Sequence, residues 1–292
     1  MNQTRPPSLP SAGAHQRGFA IAMVVLLMVV VGLGVGMAMT RFSAQSKTVA
    51  RSIEKYQDHH LGRGLQEAIG AWLRQQNGRE LLDVLEPETG HAMDIVLADG
   101  SEVAVYLRDA QGAALSNLSG LTDRQIEEGG LILRNLSVNT TEPEFLRFTR
   151  PFGPATVSIN TAPARVLDAA SRVAAGEYAD RFIAELEALQ NQGTSITRTD
   201  LTRASTSAGL SSLQRAAALR IFSTDIELWA VIIEVRAGRG MNSGRLVSRY
   251  GGITRIRVNA RNNSGNPMEL GAFVTWKDIG IDDREVDLAD LY

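Results

Sequence analysis

The sequence contains no cysteine, and this absence excludes several kinds of protein at once. Without thiols there is no disulfide framework, no thiol nucleophile and no cysteine-based zinc site. Histidine is nearly as scarce, since the only four are His15, His59, His60 and His91, and no two of them have His-x-x-x-His spacing. A Gly-x-Ser-x-Gly nucleophile elbow is also missing. The sequence therefore offers no constellation for a hydrolase or a zinc enzyme, and we expect a protein that is not an enzyme.

An excess of charge of either sign is missing as well. The formal net charge is −2, from 30 Lys and Arg against 32 Asp and Glu. No overall basic field therefore indicates a nucleic-acid partner. Hydrophobic residues make up 44% of the 292 residues, which is typical of a globular chain with room for one or two ordinary cores.

Charge is absent altogether from one long segment. Phe19 to Met39 are 21 residues without a charged or strongly polar side chain. As a helix this segment would be about 30 Å long, the hydrocarbon thickness of a bilayer. A secretory signal peptide places its small-residue cleavage site after the apolar stretch, whereas Gly18 precedes it here. The segment therefore predicts a single membrane-spanning helix, and Arg5 and Arg17 favour a cytoplasmic location for its N-terminal side.

Proline is absent between Pro10 and Pro87, and apolar residues keep a helical spacing after the span. Their steps are mostly three, four or seven residues, at Phe42, Val49, Ile53, Tyr56, Leu61, Leu65, Ile69, Trp72 and Leu73. This pattern predicts one very long helix from about Phe19 to about Gln76, closed by an Asn77-Gly78 cap. The amphipathic half of such a helix needs a surface that covers its apolar side.

The remaining chain predicts strands on both sides of a helical module. The expected strands are residues 94–98 and 102–107, joined by a type I′ turn at Asp99-Gly100, then 131–138, 145–148, 226–237, 245–250, 253–260 and 272–276. The expected helices are 178–190, 211–222 and one capped by Asn160 or Thr161, with Pro163 in its first turn and Val166, Leu167, Ala170 and Val173 as its buried stripe. In the strand from Ile253, alternation predicts one buried face. We expect an α+β fold in which an antiparallel sheet packs on the long helix, with an inserted small helical module.

The start of the chain resembles the type IV pilin-like proteins. The residues that carry the resemblance are Arg17-Gly18-Phe19-Ala20-Ile21 and the apolar segment behind them. The resemblance implies that prepilin peptidase cleaves between Gly18 and Phe19 and that Phe19 is then N-methylated. Most members have a glutamate at the fifth mature position, where this chain has Met23. The tip subunit of this superfamily, minor pseudopilin K of type II secretion, also lacks that glutamate.

Two further segments are similar to minor pseudopilin K (general secretion pathway protein K). They are Val157 to Ala170, which contains Ile-Asn-Thr-Ala-Pro, and Phe222 to Gly238. A weaker similarity covers Leu107 to Leu121, and the acidic calcium-associated stretch of that family has no counterpart between Leu121 and Val157.

The resemblance implies a minor pseudopilin at the tip of a periplasmic pseudopilus, which starts or caps the fibre for type II protein secretion. Its implied partners are other minor pseudopilins, prepilin peptidase and the inner-membrane secretion platform. The implied location is the bacterial inner membrane, crossed once, with the C-terminal part in the periplasm. The alternative function is that of a minor pilin of a type IV pilus, in adhesion or DNA uptake.

Two smaller features leave alternatives open. The acidic tail, residues 278–292, is a solvated end, a docking strip or a cation site in which Asp278, Asp282 and Asp283 bind calcium; otherwise we expect no cofactor. Asn-Thr-Ala before a helix also occurs in helix-hairpin-helix DNA-binding proteins, but Glu177 and Asp180 follow where basic residues should cluster. We therefore expect a structural turn there and no nucleic acid.

These predictions divide the chain into seven segments: a leader 1–18, a transmembrane half 19–40, an amphipathic half 41–77, first strands 78–156, a helical module 157–222, C-terminal strands 223–277 and the acidic tail 278–292.

Overall fold

A computed structural model describes residues 14–86, 88–138, 140–191, 195–238, 243–256, 271–281 and 286–292. The chain divides into two compact units, Met1–Leu61 and Gly62–Tyr292, and we call the second unit the head. The helices are α1 (Ala14–Gln75), α2 (Gly78–Val84), α3 (Asp123–Ser137), α4 (Glu142–Arg147), α5 (Ala164–Ala175), α6 (Ala179–Gln190), α7 (Arg198–Ser207) and α8 (Ser212–Ile221), with 3₁₀ turns at Gly176–Tyr178 and Leu288–Leu291. The strands are β1 (His91–Val96), β2 (Glu102–Asp109), β3 (Ala114–Leu115), β4 (Thr149–Arg150), β5 (Val157–Ser158), β6 (Phe222–Ser223), β7 (Leu228–Arg236), β8 (Leu246–Arg255) and β9 (Phe273–Asp278). The predicted α+β class is confirmed.

Helix α1 is continuous over 62 residues, which confirms the prediction of one long helix. The predicted Asn77-Gly78 cap is wrong. The Asn77 carbonyl accepts the N–H of Leu81 at 3.0 Å, and Gly78 is the first residue of α2. The dipeptide therefore starts a second helix, because its polar groups bond forward along the chain.

The main sheet has five antiparallel strands in the order β1-β2-β7-β8-β9. The predicted β1–β2 hairpin is confirmed, but its two-residue type I′ turn is wrong. Val96 pairs with Glu102, so five residues connect the strands. The Asp99 carboxylate accepts the Ser101 N–H at 2.9 Å, and this local bond stabilises a longer turn in which Gly100 takes the positive φ of 86°.

The C-terminal end of α1 packs on one face of this sheet. Leu65, Ile69 and Leu73 are each at most 5% exposed. A Cβ added at Gly62 would lie 2.7 Å from the Tyr250 ring of β8, and one at Gly70 would lie 2.7 Å from the Gly271 carbonyl oxygen. The prediction that a sheet packs on the long helix is confirmed for this segment, where glycines allow a close approach.

The acidic tail covers the opposite face of the sheet. Leu291 is fully buried in a cluster with Leu228, Ala230, Ile232 and Ile253. The Tyr292 hydroxyl donates to the Ala110 carbonyl oxygen. The last residues are therefore an anchored part of the core, and the interpretation of the whole tail as a solvated end is wrong.

Strand β8 replaces two predicted strands, 245–250 and 253–260. It continues through Gly251 and Gly252, and every residue from Tyr250 to Arg255 is buried. The predicted alternation of buried and exposed residues is wrong, because the end of α1 packs on one face of the sheet and the C-terminal residues pack on the other. Positions 257–260 of the prediction lie outside the described residues.

Two predicted strands, 131–138 and 145–148, are wrong because both segments are helical. Helix α3 begins with a capping box, in which the Thr122 side chain accepts the Gln125 N–H, and it buries Ile132 and Leu136 one turn apart. Thr141 and Glu144 form the same capping box on α4. A short apolar run is compatible with a strand or with a helix, and the capping boxes that precede these two segments favour the helix.

The helical module is otherwise close to its prediction. Helices α5, α6 and α8 lie where they were expected, while α7 was not predicted. Val166, Leu167 and Ala170 are buried and Val173 packs at the edge of the same core. The expected cap of α5 is wrong, since Pro163 occupies that position and no side chain caps the helix.

Candidate assembly interface on the long helix

The first part of α1 presents a bare apolar surface. From Met23 to Met37 its large apolar side chains are 51–68% exposed. By length and composition this helix is able to cross a membrane, and none of its most apolar 18-residue window is buried. An exposed apolar surface of this extent is typical of contact with lipid or with another protein.

Three hydroxyl groups that follow the span are satisfied inside the helix. Thr48 donates to the Ala44 carbonyl oxygen at 3.0 Å, and Ser52 donates to that of Thr48 at 2.9 Å. Thr40 makes the same bond to the Gly36 carbonyl oxygen. These side chains therefore need no external polar partner.

The three residues predicted for processing and assembly all lie in this helix. The bond between Gly18 and Phe19 is part of helical backbone that begins at Ala14, and the side chains of both residues lie outside the description. Met23 is described and is 56% exposed. Its thioether is apolar and carries no charge, so the usual carboxylate position offers no partner for an ammonium group.

The apolar positions behind the span form a seam, defined as Phe42, Val49, Ile53 and Tyr56. At 100° per residue these four side chains fall within an arc of about 60° on one side of the helix. Each of them is more than half exposed. In the part of the chain that the structure describes, the seam is an uncovered strip of large apolar side chains.

Gly32, Gly34 and Gly36 lie inside the span, where small residues are expected to allow close contact with another helix. Gly32 and Gly36 lie one turn apart, and a Cβ added to either would meet nothing within 4 Å. The space beside both glycines is therefore open to such a contact.

The Asn160-Thr161 segment connects parts of the head. The Asn160 side chain accepts the Ile196 N–H at 2.7 Å and donates to the Ile196 carbonyl oxygen at 3.3 Å. The Thr161 hydroxyl donates to Asp109 Oδ2 at 2.8 Å. Both side chains are therefore engaged within the protein, as expected of a structural turn.

A buried arginine lies beside this segment and was also missed. The Arg150 guanidinium donates to the carbonyl oxygens of Ala113, Phe152, Pro154 and Thr156. Burial lowers the pKa of Arg150 to about 10, so the group stays charged at neutral pH. It organises the loop that leads into β5. The only sequence signal for this role is that Arg150 is a single charged residue in an otherwise uncharged stretch.

A cleft of about 550 Å³ lies between the end of β2, Thr161 and the C-terminal residues. Asp109 lies in its wall, and burial raises the pKa of this carboxyl group, opposed by hydrogen bonds from the Gln111 N–H and the Thr161 hydroxyl. Arg147 and Asp287 form an ion pair of 2.9 Å across the rim. The charged groups of the cleft thus have roles in holding the fold.

The calcium prediction falls mostly outside the described residues. Asp282 and Asp283 are not described, and Asp278 accepts the Gly280 N–H at 2.9 Å. Within the described ranges no three carboxylate or histidine groups come together as metal ligands. Calcium binding at this tail stays a prediction.

No protein-family model matches the sequence, and no curated protein matches it significantly. The fold and the helix thus define an α+β protein with a five-stranded antiparallel sheet and one N-terminal helix that is able to span a membrane.

Proposed function

We propose that this chain is a membrane-anchored minor pseudopilin of the K type, which starts or caps a periplasmic pseudopilus for type II secretion. The main support for the proposal is that α1 consists of three segments with different exposure. One continuous helix has an exposed apolar span, then an exposed seam, and then a segment buried in an α+β head. A pilin-like subunit needs these three parts, because it has to be held in lipid, join other helices and carry a folded domain.

The exposed seam is the proposed contact with the helices of other minor pseudopilins. Its four large side chains have no cover among the described residues, and burial of each would contribute about 1.5–3 kcal/mol. Gly32 and Gly36 would allow the same neighbours to approach closely within the membrane. The role of the protein is then assembly, with no bond chemistry of its own beyond its processing.

Met23 supports a position at the tip. A shaft subunit places a carboxylate in the lipid-embedded helix bundle, where an unpaired charge costs roughly 3 kcal/mol. That cost is removed when the carboxylate meets the N-terminal ammonium of the neighbour. A first subunit has no such neighbour on its distal side, so an uncharged Met23 avoids the cost there.

The proposed orientation rests on the resemblance of the leader and on the size of the exported part. Arg5 and Arg17 precede the span, while Arg41, Lys47 and Arg51 follow it closely, so the flanking charges alone do not select the orientation. Long domains are translocated largely regardless of charge. A reporter fused after Tyr292 should work in the periplasm and fail in the cytoplasm, and the reverse result would contradict the proposal.

Processing at Gly18 tests the proposal itself. Intact-mass and N-terminal peptide analysis of membrane-extracted protein should give a mature chain that begins at N-methylated Phe19. The variant Gly18→Leu should keep Met1, because a bulky residue replaces the small one before the cleaved bond. An unprocessed chain in cells with active prepilin peptidase, or cleavage near Met39, would overturn the assignment.

A further inference from the structure

The first turns of α1 behind the span carry a basic face. We define it as Arg41, Lys47 and Arg51, which fall within an arc of about 120° at 100° per residue. The centre of this arc lies roughly opposite the apolar seam. The same helical segment therefore has two sides of different chemistry, and contact of the seam with another helix would leave the basic face free.

The basic face is not neutralised locally. No acidic residue occurs from Arg41 to Ile53, and the first ones that follow are Glu54 and Asp58. All three basic side chains are exposed. Among the described side chains, the ion pairs of α1 begin at Arg63 with Glu67, and none involves Arg41, Lys47 or Arg51.

Their distance from the span determines what they can reach. With a rise of 1.5 Å per residue, Arg41, Lys47 and Arg51 lie about 3, 12 and 18 Å beyond Met39 along the helix. The headgroup layer is roughly 5–8 Å thick on each side of the hydrocarbon core. Arg41 falls within this layer, Lys47 reaches it with its long side chain, and Arg51 lies about one Debye length beyond it.

We propose that this basic face binds anionic phospholipid headgroups at the membrane surface where α1 leaves the bilayer. Charge complementarity and direct continuity with the span select a lipid as the partner. An acidic protein helix is less well matched, because Arg41 lies at the level of the headgroups themselves. The interaction would hold the helix at a fixed depth and rotation, with the seam directed toward neighbouring helices. This inference rests on the membrane span of the proposed function, but not on its processing or secretion role.

The absence of cysteine allows a clean test with the full chain. The variant Ser46→Cys would carry a donor dye on its single cysteine and be reconstituted in nanodiscs. One sample would contain acceptor-labelled phosphatidylglycerol, and the other would contain the same tracer amount of acceptor-labelled phosphatidylcholine. Each basic residue near a charged surface should enrich anionic lipid by about fivefold, with a strong dependence on salt. We expect clearly greater energy transfer to phosphatidylglycerol, and this difference should fall when the salt concentration is raised.

Matched variants locate the effect. Arg41→Gln with Lys47→Gln should remove most of the preference, whereas Lys55→Gln with Arg63→Gln, which removes the same charge further from the span, should keep it. Equal transfer to both lipids, or equal loss in both double variants, would overturn the proposal. A preference that appears only after an acidic partner subunit is added would assign the face to protein and also overturn it. The proposed function is judged separately, by the mature terminus at Phe19.

Discussion

The apolar side chains in the two halves of α1 behind the span both have helical spacing, but their surroundings are opposite. Phe42, Val49, Ile53 and Tyr56 are each more than half exposed, while Leu65, Ile69 and Leu73 are at most 5% exposed. Helical periodicity requires only that an apolar stripe be covered by something. The second half is covered by the sheet of the same chain, and we propose that another molecule covers the first half. The comparison separates residues that stabilise the fold from residues that are proposed to serve assembly.

The largest expected difference is in stability. Ile69→Ala should lower the free energy of unfolding of the head by about 2–5 kcal/mol, because it leaves a cavity between α1 and the sheet. Ile53→Ala removes the same atoms from an exposed position and should change that free energy by less than about 0.5 kcal/mol. Denaturant unfolding of the full chain in detergent, followed by tryptophan fluorescence, measures both. Equal losses would show that the exposed half is also covered by its own chain.

Two glycines in α1 should give stability changes of opposite sign when each is replaced by alanine. Gly64→Ala should stabilise the protein by about 1 kcal/mol, because alanine favours the helix and the new methyl group meets nothing within 4 Å. Gly70→Ala should destabilise it, since its Cβ would lie 2.7 Å from the backbone oxygen of Gly271. Thermal unfolding of the two variants is the measurement. Stabilisation by both would contradict the close packing of α1 on the head.

The smallest expected effect concerns Met23. Met23→Glu should be tolerated or mildly disruptive for secretion, since a subunit at the proposed tip position does not need a carboxylate there. Secretion assays in a strain that lacks the native chain, with Met23→Leu as the uncharged control, test this. A strong gain of function with glutamate would assign the chain to the shaft instead.

Much of the fold follows from local patterns. The long helix, the β1–β2 hairpin and the helices α5, α6 and α8 are predicted by apolar spacing together with Gly, Pro and capping residues. The strand predictions at 131–138 and 145–148 fail because a short apolar run has no distinctive period. There the capping boxes at Thr122 and Thr141 determine the structure.

Other features depend on contacts that a local pattern does not contain. The alternation in β8 fails because α1 covers one face of the sheet and the C-terminal residues cover the other. Arg150 bonds to four carbonyl oxygens of distant and nearby loop residues, and no motif marks that arrangement. The seam at 42–56 could be predicted as apolar, but the sequence alone does not show that Leu65, Ile69 and Leu73 are buried in the head.

Site-specific photo-crosslinking in cells tests the central claim about α1 most directly. A photoreactive residue in place of Ile53 should form adducts with other proteins that carry a prepilin-type N-terminus, identified by mass spectrometry. The same residue in place of Arg51, on the opposite side of the helix, should give few or none, and in place of Ile69 it should react only within its own chain. An unreactive position 53, or a ladder of self-adducts that repeats the chain along a fibre, would contradict the account.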